Sequence, residues 1–397
     1  MSANLILGNL FVFFSIFPYV SFVPNSLDSQ PFSIFFCCLF LISNLFRTKS
    51  VPLVWFSILI YFVISFALIV FNLHISGFDF LLARGFINYL TVALVPWGFY
   101  SYLERYGFPK KIFIFGILVY LFCGLVQIVI SREIFGFLVD VRTTTDRGVT
   151  SLAPEPTYYG IVCYFLMLCV IMSNDFSSIQ KKIILSILVF QIFLLSMSSM
   201  TALFIICMIL GYALSKNVIT PKILLYLSII FVSVTFVSMS GYLDNSRLFK
   251  LAFLALDKGF SAFSYDASMN ERLSQVYLSF YGFVNNYFLP GLFTTFSDFS
   301  ANRESYSGGF FWYGGDTNKI MSYLGAMAYE TGIFILFYFF TVFFAIKGHR
   351  VFMTFAFLIP LLSAIPLANP LPGIVLAVCY FNYRKSYEIS SEFGTSN

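Results

Sequence analysis

The chain has 397 residues, of which 59% are apolar and only 10% are charged. Because about a quarter of the residues are charged in an ordinary soluble domain, this composition excludes a soluble globular protein. The net charge of +5 does not indicate nucleic-acid binding, since in a membrane protein the positions of the charges matter more than their sum. We expect an all-α polytopic membrane protein in which residues 1–397 form a single integral membrane domain.

Apolar runs follow one another along the whole chain, and we predict about twelve transmembrane helices from them. The runs lie at about 4–23, 31–46, 51–72, 86–103, 112–130, 157–173, 183–198, 200–215, 223–241, 322–346, 351–368 and 371–383. The two runs within 183–215 are predicted to form a hairpin that turns at the polar residues 196–201. Prolines interrupt the last two runs, so the number of spans there stays open.

Basic residues in the short connections determine the expected orientation. With a cytoplasmic N-terminus, twelve alternating spans place Lys110, Lys181 and Lys347 in the cytoplasm together with most other loop cations, as the positive-inside rule requires. Two long segments, 131–156 and 242–321, then lie outside. The longer one contains apolar residues at helical spacing behind an arginine, which predicts an amphipathic helix at the membrane interface. We expect the function at this outer face.

Several catalytic motifs are absent from the sequence. There is no Gly-Lys dipeptide for a Walker loop and no Asp-x-Asp pair to hold a divalent ion on a nucleotide diphosphate. Of the two histidines, we interpret His74 as an interfacial residue and expect His349 in a cytoplasmic turn. The seven cysteines lie in apolar runs and indicate neither disulfides nor a metal site. We expect no metal and no cofactor.

The shorter outer segment combines cations with a rigid carboxylate. Glu155 lies between two prolines that restrict the backbone, where the next span begins. Its carboxylate can complement the helix dipole or take part in chemistry. Five arginines can converge on one outer cavity, namely Arg84, Arg142, Arg147, Arg272 and Arg303. Because guanidinium groups bind phosphate through paired hydrogen bonds, this set predicts a site for a lipid pyrophosphate.

Three patches of this sequence resemble a known family. Residues 154–160, Pro-Glu-Pro-Thr-Tyr-Tyr-Gly, follow an arginine-rich run and are similar to the motif of Wzy-type O-antigen and capsule repeat-unit polymerases. Residues 270–273, Asn-Glu-Arg-Leu, and 329–332, Tyr-Glu-Thr-Gly, resemble the same family. Thr157 stands where many relatives have Ser. The overall architecture is similar over nearly the full chain.

This resemblance implies a fold, an activity and partners. Members of the family are bacterial inner-membrane glycosyltransferases of GT-C-like fold. They transfer a growing glycan from undecaprenyl pyrophosphate onto the non-reducing end of an incoming lipid-linked repeat unit, at the periplasmic face and without a metal. The implied partners are undecaprenyl-pyrophosphate-linked oligosaccharide, membrane lipids and a chain-length regulator of the polysaccharide co-polymerase class, with no nucleic acid.

The resemblance also implies roles for individual residues. Arg142, Arg147 and Arg272 would hold the pyrophosphate, and Glu155 would be the general base. Further substrate contacts are expected from Arg84, Arg303, Tyr158, Tyr159 and Glu330. Should Glu155 not be the base, the other candidates are Glu330, Glu271 and Asp316, or the arginines alone carry the reaction. We expect substitution of Lys250 or Lys319 to be tolerated.

Two alternative functions stay open at this point. An O-antigen ligase uses the same lipid donor. The pattern of that family includes a functional histidine in the large outer loop, however, and residues 242–321 contain no histidine. A lipid-linked oligosaccharide flippase would also be rich in aromatic residues with about twelve spans. It would not need a long outer segment with its own amphipathic helix.

Overall fold

The computed structural model describes residues 3–21, 29–44, 51–143, 147–215, 247–347, 350–363 and 365–394. The predicted span at 223–241 lies outside the described residues. Within the described ranges the chain is helical and forms no strand. Its α-helices are α1 Ala3–Ile16, α2 Phe32–Asn44, α3 Leu53–Ser76, α4 Phe80–Tyr106, α5 Lys110–Val129, α6 Pro156–Met172, α7 Ser178–Phe190, α8 Ser199–Ser215, α9 Arg247–Lys258, α10 Ala262–Tyr265, α11 Ala267–Asn285, α12 Phe296–Ala301, α13 Arg303–Ser307, α14 Tyr323–Thr331, α15 Ile335–Ala345, α16 Arg350–Met353, α17 Ile359–Leu361 and α18 Leu371–Gly394.

Two groups of apolar helices make this an α-helical membrane protein. Five helices of the described chain are long and apolar enough to cross a bilayer, at Leu53–Ser76, Phe80–Tyr106, Lys110–Val129, Ser178–Ser196 and Tyr323–Ala345. Five shorter apolar helices, at Ala3–Ile16, Phe32–Asn44, Pro156–Met172, Ser199–Ser215 and Val351–Leu361, have 10–17 residues each. The all-helical membrane class predicted from composition is confirmed, and five full-length candidate spans are present in the described residues.

Helix α6 lies at the centre of the bundle. Every side chain from Tyr158 to Val170 is buried, and the helix contacts α7, α8 and α18. A helix that is apolar on all sides is expected where protein surrounds it completely. The surrounding helices therefore hold the start of α6 in place, and Glu155 immediately precedes this helix.

The chain between α7 and α8 breaks where the polar residues predict a turn. Helix α7 continues as a π-helical turn, Gln191–Ser196, and Met197 then adopts a left-handed conformation with φ of 46°. The segment that precedes α6 packs on this break, because the Val149 amide donates to the Leu195 carbonyl at 2.8 Å. A Cβ atom at Gly148 would collide with the Ser196 carbonyl, so this close approach requires glycine.

A second helix break lies between α14 and α15, where the loop after α11 contacts the bundle. A 3-10 turn, Gly332–Phe334, separates α14 from α15, and Gly332 has a φ of 60°. The Ile333 amide donates to the Phe288 carbonyl at 2.8 Å, and the Gly291 amide donates to the Tyr329 carbonyl at 2.7 Å. The loop after α11 is thereby fastened to the helix that carries Glu330.

Candidate functional site

Glu155 and Arg272 meet although they are 117 residues apart in the chain. Arg272 Nη2 lies 2.8 Å from Glu155 Oε2, and Arg272 Nη1 donates to Thr157 Oγ1 at 3.1 Å. The side chains of Arg272 and Glu155 are only 14% and 18% exposed. Because water screens this pair little, its interaction is stronger than that of a surface ion pair.

Backbone geometry explains why the two side chains face each other. Glu155 is the N-cap residue of α6 in an extended conformation, yet its side chain makes no capping hydrogen bond. The carboxylate points to Arg272 instead of closing its own helix. On the other side, Asp266 caps α11 by accepting a hydrogen bond from the Met269 amide at 2.9 Å. This cap fixes the start of the helix that presents Arg272.

Arg142 flanks the second oxygen of the same carboxylate. Its Nη1 lies 4.0 Å from Glu155 Oε1, and its backbone amide donates to the Pro154 carbonyl at 2.7 Å. Its Nε also lies 3.8 Å from Asp140 Oδ2. The main-chain bond ties Arg142 to the proline that precedes Glu155, so the two residues are positioned as one unit.

These residues surround a cavity of about 470 Å³, which we call the arginine cavity. Its wall brings together five residues predicted from the sequence, namely Arg142, Arg147, Glu155, Tyr158 and Arg272. It also contains Asp266, Ala267, Ser268, Glu271, Tyr313, Lys319 and Met321. Four cationic and three acidic side chains therefore share one cavity of the size that ligand sites usually have.

The other predicted residues lie elsewhere, so the single cavity expected for all five arginines is divided. Arg84 and Glu330 line a separate cavity of about 170 Å³, which we call the second cavity. Arg303 borders neither of these cavities: its Nη1 donates to the Ser300 carbonyl at 2.7 Å and lies 3.5 Å from Asp316 Oδ1. Tyr159 is buried and donates to Gln191 Oε1 at 2.8 Å, away from the arginine cavity.

Lys319 is a site residue that sequence reasoning missed. It lines both the arginine cavity and the second cavity, and burial lowers the pKa of its ammonium group. This position argues against our expectation that its substitution would be tolerated. Nothing in the neighbouring sequence marks Lys319, because only the folded chain brings it beside the arginines. Glu271 was foreseen only as an alternative base, and it lies in the same wall as Glu155.

The arrangement is suited to two chemical tasks. Guanidinium and ammonium groups can bind a ligand that carries several negative charges, and the Glu155 carboxylate can accept a proton beside it. In the part of the chain that the structure describes, no three His, Cys, Asp or Glu side chains come together as a metal-binding group. The chain matches no protein-family model, no curated protein and no solved structure.

Proposed function

We propose that this protein is a glycosyltransferase that polymerises undecaprenyl-pyrophosphate-linked oligosaccharide repeat units into O-antigen or a similar surface polysaccharide. The observation that carries the proposal is the arginine cavity, where Arg142, Arg147 and Arg272 share one wall with Glu155. We place this site at the periplasmic face of the bacterial inner membrane. The proposed architecture is a GT-C-like bundle of about twelve spans, with 131–156 and 242–321 as its two periplasmic loops.

The proposed pyrophosphate contacts follow from the hydrogen-bonding capacity of the arginines. A guanidinium group has five N–H donors, and Arg272 uses one on each terminal nitrogen for Glu155 and Thr157 within the described chain. Its remaining donors can bind phosphate oxygens while the ion pair holds the group in place. Arg142, Arg147 and Lys319 add positive charge around the same cavity.

The proposed reaction joins an acceptor sugar to the donor glycan. An acceptor hydroxyl oxygen attacks the anomeric carbon of the donor, and the bond from that carbon to the pyrophosphate oxygen breaks. The electron pair of that bond leaves with the pyrophosphate, and the hydroxyl proton passes to Glu155. We assign the proton to Oε1, because Oε2 is engaged by Arg272.

The cations also account for a reaction without a metal. Negative charge develops on the pyrophosphate oxygen as the glycosidic bond breaks, and donors already in place stabilise that charge. Three arginines and one lysine in a single wall supply the positive charge that a divalent ion supplies in other glycosyltransferases. The partly buried position of Arg272 strengthens its effect on the leaving group.

Deletion of the gene in the source bacterium, followed by electrophoresis of its lipopolysaccharide, tests the proposal. A polymerase defect leaves core lipid capped with a single repeat unit, whereas a ligase or flippase defect leaves no repeat unit. We expect the single-repeat band. Plasmid-borne protein should restore the ladder, and the variant Arg272→Gln should not. A mutant that lacks all repeat units would contradict the proposal.

A further inference from the structure

The second cavity is built in part from polar residues of three helices. Helix α4 contributes Arg84, Asn88 and Thr91, whose spacing of four and three residues places them on one helical face. Glu330 of α14 lines the same cavity, and α2 contributes Ser33. This concentration of polar side chains is unusual for helices that cross a membrane, where such residues mark functional sites.

Some of these side chains have hydrogen-bonding capacity to spare. Among the described residues, neither Arg84 nor Asn88 makes a side-chain hydrogen bond or an ion pair, although Arg84 interacts electrostatically with Glu330. Within that same part of the chain, the Glu330 carboxylate accepts one hydrogen bond, from the Tyr89 hydroxyl at 2.8 Å. Arg84 and Asn88 are only partly buried, so their donors are open to a polar ligand in the cavity.

The mixture of groups indicates the chemistry of that ligand. Arg84 is the only arginine in this wall, and the Glu330 carboxylate lies in the same cavity, whereas the arginine cavity offers a phosphate three guanidinium groups. A sugar hydroxyl can donate to the carboxylate and accept from the guanidinium or the amide. Ile34 and Ile87 also line the cavity and can pack against the carbon face of a sugar ring. With a volume of about 170 Å³, the cavity has room for a single sugar residue.

We propose that the second cavity is a sugar-recognition subsite that binds one sugar residue of the acceptor repeat unit through Arg84, Asn88 and Glu330. The assignment to the acceptor rests on the proposed polymerase function, because polymerisation needs a second glycan beside the donor. Lys319 belongs to the walls of both cavities, so a sugar in the second cavity lies one side chain away from the arginine cavity. The subsite thus selects which repeat unit is extended.

Binding of a soluble probe tests the subsite without relying on turnover. The probe is the repeat-unit oligosaccharide released from its lipid pyrophosphate by mild acid and labelled with a fluorophore, which cannot serve as a donor. Full-length protein in nanodiscs should bind it, and Asn88→Ala or Arg84→Gln should weaken binding about tenfold. Arg84→Lys should recover part of the affinity. Arg272→Gln and the distant control Arg384→Gln should bind like the wild type.

The outcomes separate this proposal from the polymerase assignment. Probe binding that Asn88→Ala weakens, in a protein that makes no polymer, keeps the sugar subsite and removes the polymerase function. A normal polymer ladder with unchanged probe affinity in Asn88→Ala and Arg84→Gln overturns the subsite alone. Size-exclusion profiles matching the wild type verify that each variant is folded.

Discussion

Replacement of Glu155 by Gln tests whether its carboxylate acts in catalysis or only stabilises the structure. Glutamine has almost the same shape, and its amide oxygen can still accept the hydrogen bond that Arg272 Nη2 donates at 2.8 Å. A charge-assisted hydrogen bond contributes about 1.5–3 kcal/mol and a neutral one about 0.5–1.5 kcal/mol. The folded state should therefore lose only about 1–2 kcal/mol, and the variant should stay folded with its arginine in place.

The expected loss of rate is much larger than this structural effect. Removal of a general base typically slows a reaction about 10²–10⁴-fold, which corresponds to about 2.7–5.5 kcal/mol in the activation free energy. The elongation rate of Glu155→Asp should lie between those of the wild type and Glu155→Gln, because its side chain is one methylene shorter on a backbone held by two prolines. The assay is single-turnover elongation of purified lipid-linked repeat units by protein in nanodiscs, with thermal unfolding measured on the same samples.

Glu104, in the last turn of α4, provides a matched control. Glu104 also pairs with an arginine at 2.8 Å, through Arg384 Nη1, but lines neither the arginine cavity nor the second cavity. Glu104→Gln should change the rate by less than about threefold, since exposed ion pairs contribute little to stability. Near wild-type elongation by Glu155→Gln would refute the role of Glu155 as base. The search would then move to Glu271, which lines the same cavity.

Three further predictions concern the cations and the orientation. Arg272→Lys keeps the charge but loses the paired donors, so the elongation rate should fall about tenfold or more. The same exchange at Arg142 or Arg147 should cause a smaller loss. Full-length polymer ladders from all three variants would refute bidentate binding. Because burial lowers the pKa of Lys319, its ammonium loses its proton at lower pH than an exposed lysine does. The affinity for inorganic pyrophosphate, measured by calorimetry, should thus fall as pH rises toward that pKa, and Lys319→Arg should abolish this fall; an identical pH profile in the variant would exclude Lys319 from the site. A cysteine introduced at Asn302 should react with a membrane-impermeant reagent from the periplasm, and labelling from the cytoplasm alone would refute both orientation and function.

Sequence patterns predicted those features of the site that depend on the local backbone conformation. The two prolines around Glu155 restrict the backbone wherever the rest of the chain lies, so a rigid carboxylate at a helix start could be read from the sequence. Helical spacing similarly located the helix now seen at Ala267–Asn285, which carries Arg272. The sequence predicted arginines near Glu155 but not their individual contacts, and the structure adds a direct ion pair between Glu155 and Arg272.

Long-range packing determined what the sequence could not indicate. Arg84 and Arg272 are chemically alike, and only the packing of α4 against other helices places Arg84 in a different cavity. Arg303 is held by Asp316 and by a backbone carbonyl, partners that no pattern identified. Lys319 lies in an irregular segment just before α14, where neither helical periodicity nor a motif draws attention to it.

The most direct measurement of the central claim is elongation in a fully defined system. Purified protein in nanodiscs would receive undecaprenyl-pyrophosphate-linked repeat units as both donor and acceptor, with a chelator present and no nucleotide. The account predicts a ladder of products that grow by one repeat unit at a time, with release of undecaprenyl pyrophosphate. It also predicts loss of the ladder in Arg272→Gln but not in Arg384→Gln. Repeat units that remain unjoined by the wild-type protein under these conditions would contradict the account.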